Sequence, residues 1–302
     1  MVYLELAVVT LLWGLVPLVM KLSSQDLHAG SFNLLRYGTA VLFLFLLLMT
    51  SYRRLKVPLA VSLRIMLLGA VTLFPFSYFF LLGVKQIPIS VAGMIQGTVP
   101  ALTVVATFVF FQRTPSRETV FGIIVTYVSL LLFLFEPHGA AVHASDWLGI
   151  IYVSIATLCF AIYTSLNKFV SGRLDNLVVT FYVSLGVFLA GIPFAIYEEV
   201  WFGAQHLTIS GTVGILYMSL FATVLSLVLY TKAVRSVGAF QSSVFTNLIP
   251  LVIVASGVLF LHEHVTLVQL LAAMLTLVGV GLTIKSEVRA NRVAIDDPGK
   301  LD

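Results

Sequence analysis

Apolar residues occur along this chain in ten blocks that are separated by short polar breaks. Each block approaches the roughly 20 apolar residues that an α-helix needs to cross a bilayer. The breaks between them carry charged residues, prolines and glycines, which are typical of helix ends and turns. The pattern predicts transmembrane helices near residues 3–22, 30–49, 60–83, 90–111, 118–135, 147–168, 177–197, 211–231, 241–261 and 266–285.

One of these blocks, residues 93–112, has a second copy 150 positions downstream, at residues 243–262. Pro250 stands in the second copy where Pro100 stands in the first, and the match continues at the same offset on both sides. A duplicated apolar unit of this length is typical of transporters that are built from two halves around a central site.

The repeat divides the chain into a first five-helix unit at 1–137, an inter-repeat loop at 138–146 and a second five-helix unit at 147–285. The polar tail, 286–302, is predicted to be disordered and cytoplasmic. Five helices is an odd number, so the second unit must be inverted relative to the first. The predicted fold is therefore an all-α integral membrane protein with ten transmembrane helices arranged as two inverted repeats.

Composition supports this class, because the residues AVILMFWYC make up 60% of the chain and charged residues only 10%. A soluble globular protein would not carry that balance. Of the 17 Lys and Arg residues, fourteen fall on the side of the N-terminus, Lys21 and Lys85 fall on the other side, and Arg36 lies within a span. This bias predicts that both termini are cytoplasmic.

Charge is scarce inside the spans, so candidate binding residues are sought among polar and aromatic side chains. Hydrocarbon cannot satisfy a primary amide, and Gln96 and Asn247 should therefore face the protein interior or a wet cavity. Trp13 lies mid-span, where a Trp of the lipid interface would not sit. Aromatics also fill cores and interface belts, and that alternative stays open for each of them. The predicted substrate-binding residues are Trp13, Tyr78, Gln96, Tyr163, Tyr217 and Asn247.

Prolines within spans remove a backbone donor and are predicted to form kinks or hinges at Pro75, Pro100 and Pro250. Their freed carbonyls could instead line the pathway.

Arg36 lies about two turns into the second span, where a buried arginine needs an acceptor. It could pair for structure or contact an anionic group of a substrate. The candidate partners are Asp26, Glu136, Asp146, Glu198 and Glu199.

Enzymatic chemistry is not expected. His262, Glu263 and His264 are adjacent and lack the i, i+4 spacing of a zinc helix, and no span carries a suitable carboxylate or histidine pair. The single cysteine, Cys159, cannot form an intrachain disulfide or a cysteine cluster. We predict no catalytic residue, no metal site and no cofactor, and we expect Glu5 to be a solvated carboxylate at the start of the first helix.

Four segments together resemble EamA-type members of the drug/metabolite transporter superfamily over residues 3–285: LLWGLVPLVMKLSS, NLLRYGTAVLF, SVAGMIQGTVPALTVV and QSSVFTNLIPLVIV. The resemblance implies a ten-helix inverted-repeat fold and a cavity formed by the first, third, fourth, sixth, eighth and ninth helices. It also implies export of amino acids or other small metabolites across the cytoplasmic, or inner, membrane of a bacterium or archaeon.

Two positions depart from the resemblance. Family repeats often end their fourth helix with a glycine-glutamate pair, but here the second copy keeps Glu263 while the first has Gln112 and Arg113. Trp13 falls where small multidrug-resistance relatives carry a proton-coupling glutamate. Neutral or zwitterionic substrates therefore fit this chain better than organic cations.

The predicted function is secondary transport by alternating access, without ATP, that exports amino acids or related small metabolites. The alternative is a carrier of drugs or other metabolites, such as an organic cation, a nucleoside or a sugar phosphate, and a less favoured one is a non-transporting membrane receptor or scaffold. The predicted partners are a small-molecule substrate and the lipid bilayer, with no nucleic acid, and the protein is expected to be a monomer or a homodimer.

Overall fold

The computed structural model describes residues 2–50, 57–112, 114–136, 146–171, 174–203, 205–237, 242 and 245–296, without the side chains of 168, 171, 235 and 287–296. All ten predicted spans contain an α-helix. In the described residues nine helices are long and apolar enough to cross a membrane, and the described part of the ninth span is shorter. The helices are α1 (Val2–Gly14 and Val16–Ser23), α2 (Ala29–Thr50), α3 (Leu59–Leu68, Gly69–Leu73 and Phe74–Gln86), α4 (Ile89–Gln96 and Val99–Phe111), α5 (Arg117–Leu134), α6 (Trp147–Ser171), α7 (Asn176–Phe202), α8 (Ile209–Leu216, Tyr217–Leu225 and Ser226–Val237), α9 (Ile249–Leu261) and α10 (Leu267–Asp296).

The sequence repeat is also present in the backbone. Gln112 and His262, which are 150 positions apart, both have φ of 54° at the end of a helix. π-Helical stretches occur at matching places, Gly69–Leu73 in α3 and Tyr217–Leu225 in α8. The helices before Pro100 and Pro250 are interrupted at matching residues, 97–98 and 247–248. The predicted two-repeat fold is confirmed.

The two repeats run in opposite directions. Lys85, in the last turn of α3, contacts the loop between α1 and α2 through a 2.7 Å hydrogen bond to the carbonyl of Leu27. Lys232, in α8, instead forms a 2.6 Å ion pair with Glu5 at the start of α1. Since α8 is the repeat counterpart of α3, their C-terminal parts lie at opposite ends of the molecule. We refer to these ends as the Lys85 end and the Lys232 end.

Helices α5 and α10 pack closely through glycines. A Cβ atom on Gly122 would lie 2.7 Å from the carbonyl oxygen of Gly279, and a Cβ on Gly279 would lie 2.8 Å from that of Gly122. Polar side chains join the same pair, since Thr276 donates to Ser129 Oγ at 3.1 Å. These two helices therefore pair mainly with each other and support the remaining eight.

The C-terminal tail differs from its prediction. Helix α10 continues to Asp296, so the prediction of disorder is wrong for residues 286–296. Helix propensity explains the difference, because this part of the tail contains Glu, Arg and Ala, which favour helix when a preceding span supplies the first turns. Most of the predicted inter-repeat loop lies outside the described residues.

Apolar side chains cover the outer surface, as in a protein solvated by lipid tails. Leu4, Trp201 and Leu267 are each at least 70% exposed. The largest buried cluster instead takes residues from helices of both repeats, such as Phe32, Phe80 and Met218. Hydroxyl side chains inside the molecule mostly donate to a carbonyl of their own helix, as Thr157 does to Val153 at 2.7 Å. Most of these hydroxyl groups are thereby satisfied without water.

Candidate functional site

The breaks in α4 and α9 meet inside the molecule. Pro100 is the second residue of Val99–Phe111 and Pro250 the second of Ile249–Leu261, positions at which the missing N–H costs least. A Cβ atom on Gly97, in the break of α4, would lie 3.3 Å from Cγ of Pro250. The two interrupted helices therefore cross where each is interrupted, and both predicted kinks lie at this crossing.

Gln96 and Asn247 flank these breaks. Gln96 is the last residue before the break in α4, and Asn247 lies within the break before α9. Both side chains are partly exposed, and neither amide has a hydrogen-bond partner in the part of the chain that the structure describes. An amide at membrane depth needs donors and acceptors from water or a ligand when the protein supplies none.

Trp13 and Tyr217 join α1 to α8 by a reciprocal pair of hydrogen bonds. Trp13 Nε1 donates to the carbonyl of Ala222 at 2.8 Å, and the Tyr217 hydroxyl donates to the carbonyl of Leu12 at 2.8 Å. Ala222 and Tyr217 both belong to the π-helical stretch of α8, and such stretches frequently mark functional sites. The indole N–H of Trp13 and the hydroxyl of Tyr217 thus both donate to carbonyls of the protein. A ligand would contact these two residues through their ring surfaces.

The other two predicted aromatics, Tyr78 and Tyr163, contact different clusters of buried residues. Tyr78 packs, with Trp13 and Tyr217, against the largest core cluster, and its hydroxyl donates to Glu198 Oε1 at 3.0 Å. Tyr163 packs against a different cluster. The core of that second cluster is Ile65, Val179 and Val183. Trp13, Tyr78 and Tyr217 thus contact the largest cluster, and Tyr163 contacts another one.

Pro75 lies at the third predicted kink. It is the second residue of Phe74–Gln86, the α-helical part of α3 that follows the π-helical stretch Gly69–Leu73. The proline ring therefore lies where the wide helix changes to a normal one, and both proline and π-helical stretches are common causes of helix kinks. The equivalent π-helical stretch of α8 is not followed by a proline. A proline is therefore not the common cause of the two π-helical stretches.

Two lysines link helix ends crosswise at the Lys85 end. Lys21, in the last turn of α1, donates to the carbonyl of Ile87, which follows α3, at 2.6 Å. Lys85, in the last turn of α3, donates to the carbonyl of Leu27, which follows α1, at 2.7 Å. Each lysine thus satisfies a carbonyl beyond the C-terminus of the other helix, where a cation is favoured by the helix dipole.

Two glutamates complete the same end by capping the helices that begin there. Glu198, at the end of α7, accepts hydrogen bonds from the N–H groups of Gly30 at 2.7 Å and Ser31 at 3.3 Å. Glu263 accepts from the N–H groups of Ile89 at 2.7 Å and Ser90 at 3.0 Å. A carboxylate stabilises a helix N-terminus through its unpaired donors and its dipole. Both glutamates belong to the second repeat and both capped helices to the first.

Sequence reasoning did not predict this network. It considered Glu198 only as a partner for Arg36, and Glu263 as part of a run of adjacent His and Glu residues and as a glutamate that family repeats often carry. A usable signal was present, because Lys21 and Lys85 are the two basic residues assigned to that side and each lies in the last turn of a span. At this end the two lysines join α1 to α3 within the first repeat, and the two glutamates join the second repeat to the first.

The Lys232 end carries a single described ion pair between the repeats. Lys232 Nζ lies 2.6 Å from Glu5 Oε1, and the Glu5 side chain is only 15% exposed. The expectation of a solvated Glu5 is therefore wrong, because the end of α8 covers the start of α1 and brings a cation to it. This end depends on fewer charged contacts, among described residues, than the Lys85 end does.

Arg36 does not pair with a carboxylate. Its Nη1 donates to Ser77 Oγ at 3.2 Å, and its guanidinium lies 4.9 Å from the ring centroid of Tyr37. None of the five predicted partners forms an ion pair with it in the described residues. Glu198, a buried candidate at the end of α7, instead accepts hydrogen bonds from N–H groups at the start of α2.

Ten apolar helices in two inverted repeats, with interrupted helices that cross at their breaks, define a multi-pass membrane protein of the transporter class. The chain belongs to the EamA-like transporter family, which matches residues 1–135 and 147–285. The resemblance in the sequence is thereby confirmed.

Several relatives extend over nearly the whole chain. The uncharacterized transporter YetK of Bacillus subtilis (strain 168) is 26% identical over 93% of this chain and 86% of YetK. An uncharacterized transporter of Archaeoglobus fulgidus is 23% identical over 94% of this chain and 98% of the relative. Protein PagO of Salmonella typhimurium is 23% identical over 94% and 95% of the two chains.

The fold also occurs in a solved structure. A protein crystal structure superposes with a TM-score of 0.66 over 95% of this chain and 98% of the other, at 13% identity. At that identity the likeness is one of fold.

Proposed function

We propose that this protein is a secondary transporter that exports amino acids or related small metabolites by alternating access. The observation that carries the proposal is the crossing of α4 and α9 at their breaks, with the two unpaired amides of Gln96 and Asn247 beside it. Interrupted helices at mid-membrane place polar groups where a substrate can be bound, and they give each repeat a point at which to bend.

We propose further that the Lys232 end is cytoplasmic. Fourteen of the 17 Lys and Arg residues are assigned from the sequence to the side of the N-terminus, where Glu5 and Lys232 lie. Cytoplasmic loops of membrane proteins carry an excess of Lys and Arg. The four-residue network at the Lys85 end would then close the protein toward the outside of a cell (inner) membrane, with both termini in the cytoplasm. Opening would require the two repeats to separate at Glu198 and Glu263 while they approach at the other end.

A zwitterionic substrate agrees with the residues around the site. Trp13, Tyr78 and Tyr217 offer apolar ring surfaces, and the amides of Gln96 and Asn247 offer both donors and acceptors. Carriers of organic cations commonly require a carboxylate in the membrane, and two carboxylates of the Lys85 end, Glu198 and Glu263, are bonded to helix N-termini. A carrier of drugs or other metabolites remains the alternative substrate class.

The test is flux in vesicles that contain the purified protein. We expect uptake or release of radiolabelled neutral amino acids by the wild type, and loss of that flux when Gln96→Leu and Asn247→Leu are combined. Gln112→Leu is the matched control, because Gln112 is an exposed amide at the end of α4 and its loss should leave flux unchanged. Wild-type flux in the double variant would contradict the site. Ligand binding without any flux would favour a receptor.

A further inference from the structure

Arg36 is a buried cation that lacks a counter-ion in the described part of the chain. Arg36 is 9% exposed and lies about two turns into a span, Ala29–Thr50. A guanidinium carries five N–H donors, but only Nη1 has an acceptor here, the neutral hydroxyl of Ser77 at 3.2 Å. The Nε donor is buried without a partner. Such a cation is costly at membrane depth unless an anion pairs with it.

The groups around Arg36 are fixed and uncharged. Ser77 donates its own proton to Asn33 Oδ1, and Asn33 Nδ2 donates to the carbonyl of Ala29 at 2.8 Å. Ser77 therefore presents a lone pair to Arg36 and cannot supply a negative charge. Ser219, in the π-helical stretch of α8, donates to the main-chain carbonyl of Arg36 at 2.8 Å. The guanidinium is thus positioned at a junction of α2, α3 and α8 by neutral contacts alone.

Glu198, a buried carboxylate at the end of α7, is bonded to other groups. Glu198 accepts from the N–H groups of Gly30 and Ser31 and from the Tyr78 hydroxyl. These three donors come from the helix that carries Arg36 and from the helix that carries Ser77. A carboxylate so bonded stays with the helix start, and the charge of Arg36 is left for an anion from outside the protein.

We propose that Arg36 binds the carboxylate of the transported compound. The planar guanidinium fits a carboxylate through two parallel hydrogen bonds, and its free Nε is one of the donors such a pair uses. Tyr37 covers the guanidinium at 4.9 Å and shares a cluster with Phe74, whose ring lies 5.7 Å from that of Tyr78. A contiguous set of aromatic side chains thus runs from Arg36 to Tyr78, one of the proposed binding aromatics. This inference rests on the proposed function for the identity of the compound as an amino acid.

The experiment measures binding to the purified full chain, so that it is independent of flux. The probes are L-phenylalanine, L-phenylalaninamide, 3-phenylpropanoate and phenyl phosphate, which keep one ring and vary the charged group. We expect the wild type to bind L-phenylalanine at least tenfold more tightly than its amide, because a hydrogen bond to a charged group is worth about a factor of ten or more in affinity. Arg36→Gln should remove that preference.

Arg64→Gln is the matched control, since Arg64 is an exposed arginine on α3 and its loss should leave the preference intact. A preference that persists in Arg36→Gln would overturn the proposal. So would a much lower thermal stability of ligand-free Arg36→Gln than of Arg64→Gln, because it would show that the cation is paired within the protein. Arg36→Lys distinguishes charge from shape: it should bind the carboxylate more weakly than the wild type but retain some preference over the amide.

The four probes separate this inference from the proposed function. If 3-phenylpropanoate or phenyl phosphate binds through Arg36 and L-phenylalanine does not, the anion site stands and the assignment of amino acids as substrates fails. If none of the three probes with a carboxylate or phosphate binds more tightly than L-phenylalaninamide, the Arg36 site fails, and the flux test of Gln96 and Asn247 still decides the proposed function.

Discussion

Gln112 and His262 occupy equivalent positions in the two repeats and share a left-handed backbone conformation, with φ of 54° at each. Each residue ends a helix that begins just before a proline, and each turns the chain toward the next span. Glycine adopts this conformation without the steric cost that a Cβ atom brings. The relationship shows that the repeat is preserved in local geometry where the residues themselves have changed.

We therefore predict that Gln112→Gly and His262→Gly each stabilise the protein, by about 1 kcal/mol. The measurement is thermal unfolding of the purified protein in detergent, followed by intrinsic fluorescence. Ala255→Gly, at an exposed helical position of α9, is the control and should destabilise by about 1 kcal/mol. A loss of stability at both left-handed positions would mean that the side chains make contacts that outweigh the backbone cost.

The spans and the inverted repeat could be predicted from the sequence because both depend on patterns along the chain. Hydropathy requires about 20 apolar residues per span, and the offset of 150 relates Pro100 to Pro250 without any knowledge of contacts. The helix breaks followed from proline chemistry in the same way. Direction followed from the odd number of helices, which the opposite positions of Lys85 and Lys232 confirm.

The network at the Lys85 end could not be predicted, because its bonds run to backbone groups. Lys21 and Lys85 contact carbonyls, and Glu198 and Glu263 contact N–H groups. These contacts involve no pair of oppositely charged side chains that could be recognised in the sequence. The same reasoning failed for Arg36, where a carboxylate partner was expected and a hydroxyl was found. Sequence shows which charges are buried, but their partners depend on which helix ends meet.

The next prediction concerns closure at the Lys85 end. Glu198→Gln keeps the shape of the side chain but removes the charge that stabilises the start of α2, at a cost of about 1 kcal/mol. We expect a Gln96→Cys reporter, in a Cys159→Ser background, to react several times faster with a membrane-impermeant maleimide added from that end. Glu199→Gln is the control, because Glu199 is the exposed neighbour. Equal labelling rates in the two variants would show that Glu198 does not hold this end closed.

A further prediction concerns the contact between α1 and α8. Trp13→Phe and Tyr217→Phe each remove one hydrogen bond to a backbone carbonyl, and each should destabilise by about 1 kcal/mol. Because both bonds join the same two helices, the double variant should lose less than the sum of the single losses. A double-mutant cycle of thermal stability measures this, with Tyr3→Phe, at an exposed position, as the control. Strict additivity would show that the two bonds act independently.

The last prediction concerns Gly30, the second residue of α2. A Cβ atom on Gly30 would lie 2.6 Å from Glu198 Oε2 and 3.0 Å from the main-chain nitrogen of Ala195. Gly30→Ala should therefore push the carboxylate away from the helix start and separate α2 from α7, at a cost of about 1–3 kcal/mol in thermal stability. Gly281→Ala is the matched control, since nothing lies within 4 Å of its added Cβ. That control should be neutral or stabilising by up to about 1 kcal/mol, because alanine favours helix. If Gly30→Ala behaves like Gly281→Ala, α2 and α7 do not need this close approach, and the cap by Glu198 is looser than the contacts indicate.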